Sequence, residues 1–105
     1  MQREALRRVN RLVVKLGTGV LTDSSKQPDL AQLEQLVGQV ATQRRAGREV
    51  VLVTSGAVGA GMGALGYVKR PSDLSELQAC AAVGQCRLMA TYEKLFARHG
   101  LAVAQ

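Results

Sequence analysis

Two apolar runs, each stopping at small glycine-containing residues, constrain this chain more than anything else in it. The first is Leu12-Val13-Val14-Lys15-Leu16, followed by Gly17-Thr18-Gly19. The second is Val50-Val51-Leu52-Val53, followed by Thr54-Ser55-Gly56-Ala57. Near-continuous β-branched and aliphatic runs predict strands buried on both faces, as in a parallel sheet. Open parallel sheets bind ligands just beyond the carboxyl ends of their strands. Gly17, Gly19 and Gly56 have no Cβ, so backbone N–H groups there can come close to a phosphate or carboxylate. Lys15 is costly to bury among aliphatic neighbours without an anionic partner. Its ammonium is expected to reach out of the strand end toward a bound anion. The plainer alternative is a strand-edge lysine that snorkels to water.

The periodicity predicts the order β-α-β-α-α-β. Strand one spans 11–16 and a polar loop covers 22–28. A helix then starts near Asp29, whose carboxylate can cap it. Leu30, Leu33, Leu36, Val37 and Val40 make its apolar face. Gly47 ends that helix, and strand two spans 49–53. A strand, a helix and a neighbouring parallel strand form a right-handed βαβ unit. A helix start is expected within 56–65, although Gly59, Gly61 and Gly63 each cost about 1 kcal/mol in a helix interior. Asp73 with Glu76 fits a capping box, and a long helix spans 77–96. Its later apolar face is Leu88, Met89, Tyr92, Leu95 and Phe96, and Gly100 closes it. Leu101 to Gln105 reads as a third strand cut off as it begins. The chain therefore reads as the first part of a larger domain, ending inside a strand.

Composition narrows the classes. The chain has 105 residues, 47% of them hydrophobic, which is a globular composition. Aromatics are 3%: Tyr67, Tyr92 and Phe96. A single-strand nucleic-acid platform needs more exposed rings than that. The net charge is +6, and ten of the fourteen basic residues are Arg. Scattered solvated charge explains this more simply than a nucleic-acid surface. Arg3, Arg7, Arg8 and Arg11 do cluster, but at a terminus that is expected to be loose. Cys80 and Cys86 lie about 240° apart around one helix, so they cannot pair with each other. Reduced thiols and the lack of a secretory pattern point to the cytoplasm. No apolar stretch reaches the ~18 residues of a membrane span. With His99 as the one histidine, no metal ligand set is expected.

Several motifs are weak or missing. Gly61-Met62-Gly63-Ala64-Leu65-Gly66 matches G-x-G-x-x-G literally. It starts too long after strand two, and Ala81 and Ala82 stand where the dinucleotide fingerprint wants an acid. There is no P-loop signature. Ser55 lies in Thr54-Ser55-Gly56 rather than in G-x-S-x-G, which argues against a hydrolase nucleophile. Ser55 can be read as a helix cap before Gly56, a role compatible with an anion site at a helix start. Ala79, Ala81, Ala82 and Gly84 make a small-residue patch, read as close packing of the last helix on the sheet.

Taken together, these residues resemble the gamma-glutamyl kinases (glutamate 5-kinases) of the amino acid kinase family, over nearly the whole chain. The resemblance rests on Val13-Val14-Lys15-Leu16-Gly17-Thr18, on Val51-Leu52-Val53-Thr54-Ser55-Gly56-Ala57-Val58 and on Ala81-Ala82-Val83-Gly84-Gln85. Arg87-Leu88-Met89 and Tyr92-Glu93, with Leu95-Phe96, continue it. Cys86 and Gly19 depart from it, standing where a small polar residue is commoner.

The resemblance implies an α/β fold: an αβα sandwich with a mainly parallel sheet, of which residues 1–105 form the N-terminal portion. It implies transfer of the ATP γ-phosphoryl group to the side-chain carboxylate of L-glutamate, the first step of proline biosynthesis. ATP and Mg²⁺ are the implied cofactors, L-glutamate and ATP the partners, and a homo-oligomer the expected state of a complete protein. Lys15 is the implied catalytic residue. Lys15, Gly17, Thr18 and Gly19 line the ATP site, and Ser55, Gly56 and Ala57 the substrate site. The family's later portion supplies a second lysine, together with an Asp and an Asn that hold glutamate, so residues 1–105 are expected to be inactive alone. Two other readings stand beside this one. One is a family member with a different acceptor, such as an aspartate or nucleotide kinase. The other is a non-catalytic basic fragment that binds anions or RNA.

Overall fold

The computed structural model describes residues 2–22 and 29–105, so most of the polar loop expected at 22–28 lies outside the described residues. The chain forms two compact units, Met1–Thr54 and Ser55–Gln105.

In the N-terminal unit, β1 (Arg11–Leu16) and β2 (Glu49–Thr54) pair in parallel, in register from Arg11 opposite Glu49 to Leu16 opposite Thr54. Both strands therefore end level. Parallel neighbours cannot be joined by a hairpin, and α2 (Leu30–Arg45) lies in the connection between them. A four-residue helical turn, α1 (Thr18–Leu21), precedes it. Asp29 caps α2 as the sequence predicts, its carboxylate accepting from the Gln32 N–H at 3.0 Å. At the other end Gly47 takes a φ of 90°. That lets the Gly47 N–H donate to the Arg44 carbonyl and the Arg48 N–H to the Gln43 carbonyl, a Schellman ending. Leu33, Val37 and Ala41 form the buried row of α2, four residues apart on one stripe. Leu30, expected on that stripe, is 59% exposed, and Ala41 is wholly buried in its place.

The expectation of strands buried on both faces is corrected. Along each strand, burial alternates. Leu12, Val14 and Leu16 share one face with Val50, Leu52 and Thr54, and α2 packs on β2. The opposite face, Arg11, Val13 and Lys15 beside Glu49, Val51 and Val53, is exposed. The sheet has two strands among the described residues.

The C-terminal unit is a helix pair, α3 (Ala57–Leu65) and α4 (Leu74–Ala97). Three glycines do not prevent α3, because tertiary contact outweighs propensity. A Cβ on Gly61 would lie 1.7 Å from the Cys80 carbonyl oxygen, and one on Gly84 1.6 Å from that of Ala57. Among the small residues of α4, Gly84 thus serves a close helix-on-helix contact with α3. Within G-x-G-x-x-G, Gly61 is a packing glycine and Gly66, with φ of 79°, ends α3. α4 begins three residues before the predicted position. Asp73 caps it by accepting from the Ser75 N–H at 2.8 Å. Glu76 does not complete the expected box; it is hydrogen-bonded to Tyr67, whose phenol is pushed above its ordinary pKa by desolvation first and by Glu76 second. Cys80, Tyr92, Leu95 and Phe96 are buried, and the Tyr92 and Phe96 rings stack with centroids 6.3 Å apart. Leu88 and Met89 of the expected face are half-buried. Gly100, at φ of 71°, turns the chain so that the Leu101 N–H donates to the Phe96 carbonyl. Residues 101–105 are not a strand. A strand exists through its ladder, and no described segment pairs with them.

The basic N-terminus is held by one side chain rather than loose. Residues Arg3–Arg8 form a 3₁₀ turn. The Arg48 guanidinium donates from Nε to the Val9 carbonyl at 3.1 Å, from Nη2 to the Arg7 carbonyl at 2.6 Å and from Nη1 to Gln43 Oε1 at 2.6 Å. Only a planar fork reaches three acceptors in these directions. The Arg11–Glu49 ion pair at 2.6 Å is exposed on both sides, and such pairs contribute little. Arg48→Lys is therefore expected to lower stability by about 1–2 kcal/mol, as charged hydrogen bonds at a partly exposed site do. Trypsin should cut after Arg7 and Arg8 markedly faster in the variant. Unchanged cleavage with an unchanged denaturation midpoint would show that the clamp holds nothing.

Candidate active site

The predicted site residues fall in two contiguous groups, one in each unit. Lys15 is the penultimate residue of β1, laterally beside Val53 of β2. It stands on the exposed sheet face, and no carboxylate among the described residues is recorded as its partner. The burial cost expected from its aliphatic neighbours therefore does not arise: alternation turns Lys15 outward while Leu16 turns in. What remains for an anion is its place at the strand end, one residue from a glycine loop.

Gly17 follows at a φ of −77°, which any residue can adopt, and is the N-cap of α1. Its carbonyl accepts from the Val20 N–H at 3.0 Å, and the Thr22 hydroxyl donates to the Thr18 carbonyl at 2.9 Å. Thr18, Gly19 and Val20 are exposed. A Cβ at Gly17 or at Gly19 would meet nothing within 4 Å. Neither the backbone conformation nor the packing of this chain requires glycine at these two positions.

Gly56 differs. It is the N-cap of α3 with φ of 106° and ψ of −1°, left-handed geometry that costs an L side chain about 1–2 kcal/mol. As a glycine it has no side chain with which to cap α3. Ser55 lies one residue outside the helix and is half-buried, so the reading of Ser55 as the cap is replaced by Gly56 in that position. The first helical bond of α3 runs from the Ala60 N–H to the Gly56 carbonyl at 2.9 Å. The N–H groups of the first turn precede any internal partner, which suits an anionic group. Sequence reading overlooked that Gly84 of α4 bears on the Ala57 carbonyl in this same turn. The usable signal was a glycine in each of two successive small-residue helices.

Among the described residues no three His, Cys, Asp or Glu side chains gather as metal ligands. Cys80 and Cys86 are free thiols, the first buried and the second exposed. No helix among them is long and apolar enough to cross a membrane.

These geometries separate two glycines. Gly56→Ala is expected to destabilise by about 1–2 kcal/mol through its left-handed φ. Gly17→Ala should leave stability within about 0.5 kcal/mol. Chemical denaturation of both variants checks this, and equal losses would contradict the assigned backbone geometry.

The sequence was compared with known proteins. Residues 10–105 match the amino acid kinase family. The chain is 54% identical over 103 residues to a protein named Glutamate 5-kinase from Moorella thermoacetica, covering 98% of this chain and 27% of that protein. It is 48% identical over 105 residues to one of that name from Pelobacter propionicus, covering 100% of this chain and 28% of the relative. A third, from Symbiobacterium thermophilum, is 50% identical over 103 residues, and 39% of its length is covered. The chain thus spans well under half the length of these curated relatives. The match runs through both strand-to-glycine junctions and both helices of the C-terminal unit, and the chain belongs to the amino acid kinase family.

Proposed function

We propose that this chain carries the phosphate-donor and acceptor loops of a kinase that transfers the γ-phosphoryl group of ATP to the side-chain carboxylate of L-glutamate. The product is glutamyl 5-phosphate, and the step opens proline biosynthesis in the cytoplasm. The observation that supports this most is identity of about half to proteins named Glutamate 5-kinase across both loops.

In the reaction, a carboxylate oxygen attacks the γ-phosphorus and the bond to the bridging oxygen of ADP breaks. The nucleophile is already an anion, so no protein base is needed. The protein's work is positioning and charge stabilisation. Lys15 offers a compact positive charge to the phosphates. Gly17, Thr18 and Gly19 offer open backbone, and the glycines there are spared for the close approach of a nucleotide. Ser55, Gly56 and Ala57 hold the glutamate, with the Ser55 hydroxyl and the first N–H groups of α3 as donors. Mg²⁺ bound with the nucleotide would neutralise part of the phosphate charge that Lys15 also faces. Residues 1–105 alone are expected to turn over no glutamate.

The test uses a chimera in which residues 1–105 replace the matching segment of the Moorella thermoacetica relative. Lys15→Met keeps the aliphatic stem and removes the charge, and kcat is expected to fall by about 10²–10³ at unchanged thermal stability. Lys15→Arg should rescue poorly, because a planar fork does not replace a point charge. Ser55→Ala should raise KM for glutamate by about 10–100-fold, the loss of a hydrogen bond to a charged group, with KM for ATP nearly constant. A folded Lys15→Met chimera with normal kcat would make Lys15 a surface lysine and sink the assignment. A chimera that prefers aspartate would move the reading to another acceptor.

A further inference from the structure

The contact between α3 and α4 falls on the first turn of α3, against the propensity of a mid-helix glycine. Gly84 sits in the middle of α4, where glycine costs about 1 kcal/mol relative to alanine. A Cβ there would lie 1.6 Å from the Ala57 carbonyl oxygen, 2.6 Å from the Ala57 carbonyl carbon and 2.6 Å from the Gly61 backbone nitrogen. All three neighbours are backbone, so no side chain can swing aside to make room. Gly61 returns the contact one turn further along, against the backbone of Cys80. The helices thus touch backbone to backbone at two places, and the first is the opening residue of α3.

We propose that Gly84 is a positioning residue for the acceptor loop: α4 braces the Ala57 carbonyl and so fixes where Ser55, Gly56 and the first N–H groups of α3 stand. The inference rests on the reading of that loop as the glutamate site. Gly56 holds a left-handed φ and has no side chain of its own to cap the helix, and the backbone of α4 lies directly against the residue that follows it. Any side chain at position 84 must push the Ala57 carbonyl away by about 1.4 Å or more to reach a tolerable contact. A misplacement of about 1 Å costs about 10²-fold where reacting groups must align.

The experiment compares Gly84→Ala with two controls in the same chimera. Gly63→Ala also adds a methyl group to this helix pair, but its Cβ would meet nothing within 4 Å. Phe96→Leu weakens the buried end of α4, some three turns from Gly84. Hydrogen exchange of the Ala60 amide, which bonds to the Gly56 carbonyl, is read beside KM for glutamate and for ATP. Gly84→Ala should speed that exchange at least 10-fold and raise KM for glutamate at least 10-fold, with KM for ATP within two-fold. Gly63→Ala should change none of these, and Phe96→Leu should lower Tm without moving KM for glutamate. A folded Gly84→Ala chimera with unchanged exchange and unchanged KM for glutamate overturns the proposal. So does Phe96→Leu raising KM for glutamate at an equal loss of Tm, since stability alone would then explain the effect. If Gly84→Ala does not fold, the unsubstituted chimera decides: the Ala60 amide must exchange as slowly as amides in mid-α4, and 100-fold faster exchange rejects the brace. If Gly84→Ala speeds exchange while Ser55→Ala leaves KM for glutamate unchanged, the acceptor-loop reading fails and the brace stands.

Discussion

Parallel pairing of β1 with β2 is the constraint from which the N-terminal unit follows. Parallel neighbours must be joined by a crossover, so a long helix has to lie between 16 and 49 in the chain. α2 fills that role, and its ends are fixed by local chemistry, Asp29 at one and Gly47 at the other. The ladder register brings Leu16 and Thr54 level, so each strand passes at the same level into its small-residue segment. Arg48 ties the arrangement at the opposite end of the strands, where its guanidinium takes up the carbonyls of Arg7 and Val9. A charge held by neutral acceptors is well used here, since those carbonyls belong to a segment with no ladder of its own.

The glycines divide by what the backbone and packing require of them. Gly47, Gly56, Gly66 and Gly100 take positive φ at helix boundaries. Gly61 and Gly84 have ordinary φ but no space for a Cβ. Gly17 and Gly19 have both an ordinary φ and open surroundings. Gly38, Gly59 and Gly63 share both properties, so open surroundings alone do not mark a ligand; what sets Gly17 and Gly19 apart in the proposed reading is their place directly after Lys15. Gly56 belongs to the first group yet stands in the candidate acceptor loop. One residue there serves the helix start and, in the proposed reading, the ligand.

Much of this was legible in the sequence because the signals were local. Capping by Asp29, the end at Gly47 and the limits of β1 depend on a few neighbouring residues. What failed depended on partners distant in sequence. The apolar run at 11–16 predicts burial on both faces, but burial is a property of what covers a strand, and α2 covers one face. Residues 101–105 have the composition of a strand and no ladder. The Ala and Gly residues of α4 signal close packing correctly, yet no spacing rule says that the partner is α3. For the candidate site, the placement of Lys15 near the end of β1 and of Ser55 just after β2 was legible. The cap at Gly56 instead of Ser55 was not, because a one-residue shift depends on a left-handed φ that glycine permits and does not announce.

Lys15 ties the remaining threads to one physical quantity, the local dielectric. Two unit charges 4 Å apart attract by about 1 kcal/mol in bulk water and about 4 kcal/mol at an effective dielectric constant of 20. A lysine on an exposed sheet face is near the first limit, where it binds phosphate weakly and stabilises a transition state hardly at all. Its lateral and diagonal neighbours on that face are Val53, Val51 and Val13, which are 45%, 48% and 67% exposed. Aliphatic surface of that kind gains about 25 cal/mol per Å² when water leaves it. Drying that face and strengthening the ammonium are then one event, because the removal of water that rewards the valines also lowers the dielectric around Lys15. An outward lysine between outward valines is a poor arrangement for an open surface. In the proposed reading of Lys15 as a phosphate contact, its charge gains strength as water leaves that face.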